Sequence, residues 1–279
     1  LIDKLLSRNF YIVSNYKMPK VILDKWGYKQ EEHNISNLII HYRQGTTDEK
    51  VIDEVLIKNA YQKKKIGFLL EPNDLWLDLG ANIGTFALNV LSCRGKVIVV
   101  EPEVQNLKLL RKNLSTNFPP PQASSPQASS PQASSPDWII IPKCVSTHNG
   151  TTKLFLCNGD YNKYRHSMHL NKGRKSINVD TVDIHTILNH YTHINAIKMD
   201  IEGEEINILE NIVEEYLGKN QIEKMVFEYS FDVDPSIPRF MKIIKKLRKY
   251  YSIVHFTKVN PNELEYKYFP PCVNVFCQV

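Results

Sequence analysis

Two acid–glycine runs carry the residue types that chemistry needs. The first is Asp78-Leu-Gly80-Ala81-Asn82-Ile-Gly84-Thr85, and the second is Lys198-Met-Asp200-Ile-Glu202-Gly203-Glu204-Glu205. Glycines in a strand-to-helix turn let backbone come close to a ligand. A dinucleotide loop would read GxGxxG and aim a helix start at pyrophosphate. This loop reads GxNxG behind a carboxylate, Asp78, which suits a cationic or amino-bearing ligand and repels phosphate. A second acid, Glu101, follows Gly80 by 21 residues and precedes Pro102; an acid there can accept hydrogen bonds from both hydroxyls of a ribose. In the second run, Asp200 is the first choice of general base for a hydroxyl proton, with Glu228 the second. Lys198 would stabilise a developing alkoxide or hold Asp200 in place. Two alternatives stand beside this reading. Asp200, Glu202 and Glu228 could hold one Mg²⁺ or Mn²⁺, since hard cations take oxygen ligands. Asp200 and Glu202 could also simply charge the N-terminus of the helix that follows.

Such groups must be placed by strands and helices, and the pattern supplies them in alternation. Short apolar strands are expected at 76–79, 96–100, 138–141, 195–199 and 224–227, with helices at 84–93 and 104–114 and a striped helix after Glu205. A helix at 238–250 and strands at 252–257 and 272–279 complete the series. Small extra strands are expected at 151–157 and 177–182. Strands alternating with helices predict an α/β fold, a mostly parallel sheet with helices on both faces. The two final strands predict an antiparallel edge hairpin. Ligands of such sheets bind at the carboxyl ends of strands, which is where Asp78, Glu101, Asp200 and Glu228 all fall. The capping pattern Thr46-Thr-Asp-Glu49 predicts a helix running to about Lys63. Residues 1–70 read as an N-terminal cap on a core of 71–279.

Acid, glycine loop and second acid together describe a pocket for S-adenosylmethionine. The cofactor set is Asp78, Gly80, Ala81, Asn82, Gly84, Thr85, Glu101, Pro102, Ser146 and Asp200; the catalytic set is Asp200, Lys198, Glu228 and Glu202. The runs LDLGANIGTF, VVEPEVQNLKLLRKNL and VDTVDIHTIL leading into IKMDIEGEEINILENI resemble the FkbM-type methyltransferases. Upstream, Arg43-Gln-Gly45-Thr46-Thr-Asp48 and Tyr61 resemble that family's leading segment. The resemblance covers roughly 43–229. It implies a class I, Rossmann-like methyltransferase fold, S-adenosylmethionine as cofactor, and O-methylation of a sugar in an oligosaccharide or glycoconjugate. It also resembles the methyltransferase portion of multidomain glycan-building proteins such as those of large algal DNA viruses; the missing initial Met fits a domain of a longer chain. RNA ribose methylation is the rival, because Asp200 and Glu228 could fill two acidic places of a Lys-Asp-Lys-Glu set. No lysine occupies the first turns after Asp200, and the acids there would repel a phosphate backbone, so a nucleic-acid partner is not favoured.

Composition sets outer bounds. The 279 residues are 42% hydrophobic and 23% charged, which excludes a wholly disordered or fibrous chain, and the net charge of +5 is weak evidence for a polyanionic partner. The basic run 239–249 and the acidic run 201–216 read as solvated helix faces. No apolar run reaches membrane-spanning length and the N-terminal residues lack a signal-peptide core, so a cytoplasmic protein is expected. The five cysteines, 93, 144, 157, 272 and 277, read as reduced buried thiols. The segment 119–136 repeats PQASS three times and is expected to be a tolerated loop. His166, His169 and His255 are secondary candidates as bases, and Tyr161, Tyr164, Arg165 and His166 form a polar segment suited to stacking on a sugar.

Overall fold

The computed structural model describes residues 22–23, 29–35, 38–119, 136–156, 166–169, 174–191, 193–217, 222–231, 233–257 and 272–279. Most of the PQASS repeat, Cys157, Tyr161, Tyr164 and Arg165 lie outside them. An antiparallel sheet comes first: β1 (Ile22–Leu23), β2 (Lys29–Ile35) and β3 (Leu38–Arg43). A short helix α1 (Asp48–Ile52) continues as a π-helical turn, Asp53–Ile57. The expected helix to Lys63 therefore stops early. Asn59 takes a left-handed φ of 52° just beyond it. The Thr46 hydroxyl donates to the Arg43 carbonyl and accepts from Asp48 N–H, so the capping box is only partly formed.

The main sheet then alternates with helices: β4 (Leu75–Leu79), α2 (Thr85–Ser92), β5 (Lys96–Val100), α3 (Val104–Asn117) and β6 (Trp138–Ile141). A three-stranded side sheet interrupts, built from β7 (Cys144–Ser146), β8 (Gly150–Phe155) and β9 (Ser176–Asp183). There follow α4 (Ile184–His190), β10 (Ala196–Met199), α5 (Glu205–Ile212), β11 (Lys224–Ser230), α6 (Ile237–Leu247), β12 (Ile253–Phe256) and β13 (Cys272–Gln278). The order across the sheet is β12-β13-β11-β10-β4-β5-β6. Every pairing from β6 to β11 is parallel, and β13 alone runs against its neighbours. The last two strands do pair antiparallel at the edge, but β13 sits inside and β12 forms the rim.

Strand alternation sends side chains to two cores. Leu77, Leu79, Ile197, Met199 and Phe227 pack under α4, α5 and α6. Trp76, Val97, Val99, Ala196 and Val226 pack under α2, α3 and the β3–α1 segment, which adds Ile40, Tyr42, Ile52 and Val55. Two asparagines strap β3 to α3. Asn113 accepts from His41 N–H and donates to its carbonyl, and Asn117 does the same with Ile39. The spacing explains the fit: four helical residues rise about 6 Å, close to the roughly 6.6 Å of two strand residues.

The acidic and basic runs are not independent solvated faces. Glu204 and Glu205 are buried at the start of α5. Farther along, Glu210 pairs with Arg239 at 2.6 Å and Glu214 with Lys246 at 3.2 Å, joining α5 to α6. Both pairs are partly exposed, so each adds at most about 1 kcal/mol. Among the described cysteines, all four are free, and Cys93 and Cys272 are only partly buried. No helix among the described residues is long and apolar enough to cross a membrane.

Candidate active site

β4 and β10 lie side by side, with Asp78 opposite Lys198 in register. Both side chains point to the α2–α3 face, and the Lys198 ammonium stands 3.1 Å from Asp78 Oδ1 with almost no exposure at either. The same ammonium donates to the Gly80 carbonyl at 2.9 Å and lies 5.4 Å from the centre of the Tyr61 ring. Burial raises the Asp78 carboxyl above its ordinary range, with Lys198 pulling the other way. Burial would lower Lys198, but Asp78 and Asp200 outweigh it and hold the ammonium charged. Gly80 must be glycine for two reasons. Its φ is 83°, and a Cβ there would fall 2.0 Å from the Asp200 carbonyl oxygen. The strand ends of β4 and β10 therefore close tightly, and Asp200 N–H donates to the Leu79 carbonyl at 3.0 Å.

A cavity opens above these strand ends. Its lining includes Gly80, Ala81, Asn82, Thr85, Glu101 and Pro102 on the β4–β5 side. Lys198, Asp200, Glu202 and Glu228 line it on the β10–β11 side. All four residues of the catalytic set are thus brought to one wall. Three members of the cofactor set are absent from the lining. Asp78 is fully buried beneath the floor, so it cannot meet a ligand cation as expected and instead anchors Lys198. Gly84 caps α2 against Leu110, whose Cδ1 would be 2.6 Å from a Cβ. Ser146 is buried, with its hydroxyl 3.4 Å from Glu204 Oε1.

Glu101 is fixed by the protein. Its Oε2 accepts from Asn82 N–H at 2.8 Å, and its Oε1 accepts from Glu103 N–H at 2.9 Å and from the Asn106 amide at 3.2 Å. Burial nevertheless pushes its carboxyl up to about 7, against the pull of those donors. Glu205 is a second buried acid raised by burial to about 7, and its oxygens accept from Ile201 and Gly203 N–H at 2.9 Å each. It clamps the loop after β10 rather than facing solvent. In that loop Glu202 takes a left-handed φ of 59°, an uncommon conformation for a residue with a side chain. Gly203 follows at 119°, where a Cβ would lie 2.4 Å from Val233. Beside the clamp, Glu204 meets His169 Nε2 at 2.7 Å, and this hydrogen bond raises the His169 pKa against burial. His169 is thereby engaged by a carboxylate, His255 is exposed on β12 away from the cavity lining, and His166 does line the cavity.

Tyr61 was visible only as part of the leading segment, yet it reaches the centre of the site. Its hydroxyl donates to Asp200 Oδ2 at 2.8 Å. Burial, then the charges of Asp200 and Glu228, raise its pKa well above the ordinary value, so it stays a donor. Asp200 Oδ1 has no hydrogen-bond donor among the described residues. Asn274 on β13, opposite Glu228, also lines the cavity and has a buried Oδ1 with no hydrogen-bond partner among the described residues. Nothing local in its sequence marks Asn274; only the insertion of β13 beside β11 brings it here. Among the described residues, no group of three or more His, Cys, Asp or Glu is arranged to hold a metal ion.

The donor set fits S-adenosylmethionine. Glu101 offers a fixed carboxylate to vicinal hydroxyls, Val100, Cys144 and Val145 form an apolar wall, and the lining acids Glu54, Asp200, Glu202 and Glu228 favour a cation. Residues 78–252 match the family described as the methyltransferase FkbM domain. No curated protein matches the chain. Solved structures with similar folds include TYW2 of M. jannaschii in complex with AdoMet, at 12% identity and TM-score 0.40 over 90% of this chain and 87% of that one. Another is an rRNA methylase from Streptococcus thermophilus, at 10% identity and TM-score 0.43 over 80% and 95%. A third is precorrin-6y C5,15-methyltransferase from Geobacter metallireducens, at 11% identity and TM-score 0.37 over 75% and 81%.

Proposed function

Since the chain belongs to the FkbM methyltransferase domain family, we propose that it is an S-adenosylmethionine-dependent O-methyltransferase whose acceptor is a hydroxyl of an uncharged sugar or glycan. The observation that carries this reading is the division of one cavity along the sheet. Glu101 directly follows β5 and Asp200 directly follows β10, while Glu228 and Asn274 lie on β11 and β13. Neighbouring strands are about 4.8 Å apart, so Glu101 and Glu228 stand three steps, or roughly 14 Å, from each other. Cofactor ribose belongs over β4 and β5, and acceptor over β10 and β11.

When bound, the cofactor supplies an electrophilic methyl group. The protein's part is to hold the acceptor oxygen in line and remove its proton. Asp200 can take that proton on Oδ1 while Tyr61 holds Oδ2. Lys198, charged and aimed at the Gly80 carbonyl, keeps the loop backbone and Asp200 in fixed relation. The acceptor wall offers carboxylates and an amide oxygen, which accept from hydroxyl groups. Lys198 on that wall is already engaged by Asp78. A phosphate backbone would meet the carboxylates of Asp200, Glu202 and Glu228 on that wall, and like charge repels it, which supports sugar over RNA. The test is methyl transfer from labelled S-adenosylmethionine to neutral glycans, uronate-bearing glycans, phosphosugars and RNA. Label on neutral glycans is expected; label on RNA alone would overturn the acceptor assignment.

The carboxyl of Glu101 gives a separate pH signature. Ribose hydroxyls donate to its ionised form, so cofactor binding releases a proton below about pH 7. Affinity for S-adenosylhomocysteine should therefore rise as pH increases through that value and then level off. Stability of the ligand-free protein runs the opposite way. Between its ordinary value of 4.5 and about 7, the folded state holds this proton more tightly than the unfolded state, so stability from this group falls as pH rises. Glu101→Ala should weaken binding by about 1.5–3 kcal/mol, the range for hydrogen bonds to a charged group. Calorimetry at several pH values reads both effects.

A further inference from the structure

We propose that Arg43 is a positioning residue for cofactor binding, acting on Glu101 through the side-chain amide of Asn106. The inference rests on the reading that Glu101 receives the ribose. Arg43 lies upstream of the matched family region, on β3, which Asn113 and Asn117 strap along α3. That strapping delivers Arg43 to the first turn of α3. There its guanidinium forks onto Asp48, Nε to Oδ2 and Nη2 to Oδ1 at 2.8 Å each, and Asp48 also accepts from the Arg43 backbone N–H at 2.9 Å. Asp48 is 1% exposed, so the fork is held inside the protein. Such a planar pair fixes direction as well as charge.

Nη2 of the same guanidinium also donates to Asn106 Oδ1 at 2.7 Å. This contact decides which way the amide faces. With Oδ1 turned toward Arg43, the amide Nδ2 points to Glu101 Oε1 at 3.2 Å. A flipped amide would set an oxygen against the carboxylate oxygen, and the charged form of Glu101 would lose a donor while gaining a repulsion. Asn106 N–H is separately taken by Glu103 Oε2 at 2.7 Å, so the backbone of the turn stays in place when the side chain is altered. The groups facing Glu101 are Glu103 from the start of α3, Arg43 from β3, Lys198 from β10 and Cys144 from β7. His166 faces Glu103 and Arg43 as well. The part of the pH dependence that vanishes in Glu101→Gln is the part that belongs to Glu101.

The test is the dissociation constant of S-adenosylhomocysteine against pH, with the melting temperature recorded for each variant. The proteins are wild type, Arg43→Gln, Arg43→Lys, Asn106→Leu, Glu101→Gln and the Arg43→Gln/Asn106→Leu pair. Arg43→Gln should move the midpoint upward by about one unit, which weakens binding about fivefold at pH 7 and about tenfold well below the midpoint. Arg43→Lys, a point charge without the fork, should recover part of both. Asn106→Leu should shift the midpoint in the same direction, and adding Arg43→Gln to it should change binding little further, as expected for residues acting in series. A lowered melting temperature with unchanged affinity and midpoint in Arg43→Gln would make Arg43 a structural tie and overturn the inference. If that variant does not fold, an unshifted midpoint in Asn106→Leu overturns it equally. If Glu101→Gln binds like wild type, the ribose reading itself falls, and the inference with it.

Discussion

Replacing Asp200 by asparagine is expected to lower turnover by about 10²-fold or more while leaving S-adenosylhomocysteine affinity within a few-fold. The variant keeps what holds the residue. Its N–H still donates to the Leu79 carbonyl, and the amide oxygen still accepts from the Tyr61 hydroxyl 2.8 Å away. What is lost is the capacity to take a proton, together with one of the carboxylate charges that hold Lys198 charged. Tyr61 cannot replace it, because burial and the neighbouring carboxylates keep its hydroxyl protonated. Tyr61→Phe should reduce turnover less, since it frees Asp200 Oδ2 without removing the base. Single-turnover methyl transfer with labelled cofactor measures both. A chelator should leave the wild-type rate unchanged; loss of activity with EDTA, restored by Mg²⁺ or Mn²⁺, would assign Asp200, Glu202 and Glu228 to a metal instead. Full activity in Asp200→Asn would move the base to Glu228 or His166.

The second large effect concerns stability. Lys198→Met should destabilise the protein by about 3–5 kcal/mol, the cost of leaving one partner of a buried ion pair alone. Asp78 is then a buried carboxylate with no cation, and its pKa, already raised by burial, climbs further. The variant should therefore regain stability as pH falls and Asp78 takes up a proton, because the folded state then binds that proton more tightly than the unfolded chain. At neutral pH the melting temperature should drop by roughly 10 °C, given a few degrees per kcal/mol for a chain of this size. Adding Asp78→Asn removes the stranded charge and should return much of the stability. Activity should not return, since the donor to the Gly80 carbonyl stays missing. Thermal unfolding at two pH values, beside the rate assay, separates the two consequences. Equal stability of Lys198→Met and wild type at neutral pH would show that Asp78 is neutral in the native protein.

The sheet was legible because its signals are local. Lys96–Val100 and Trp138–Ile141 are apolar runs of strand length, and each strand-end acid sits next to its own run. The catalytic wall followed from that, since Lys198, Asp200, Glu202 and Glu228 stand at the ends of two adjacent strands. What sequence could not show was depth and distant pairing. Asp78 lies two residues before Gly80, and only the register with Lys198 puts it under the floor. Glu204 and Glu205 read as part of a charged face because six acids share that stretch; their burial depends on His169 and on the loop they clamp. The roles of Asn106, Asn113 and Asn117 on α3 need β3 beside them. Their four-residue spacing from 113 to 117 is the one cue, and it has meaning only once a strand edge is known to lie there.

The place of β13 carries a consequence for assembly in time. Of the seven main-sheet strands it is the last synthesised, yet it lies between β11 and β12. Until it arrives, β11 has an open edge along its whole length and β12 has no neighbour to pair with. Both cores are also short of material, because Val273, Val275 and Cys277 belong to one and Phe276 to the other. A nascent chain can therefore have β4 to β11 already synthesised and still unsealed on that side. Pairing β13 is a non-local step and a slow one. While it is pending, the bare edge of β11 is a template for strands of other chains.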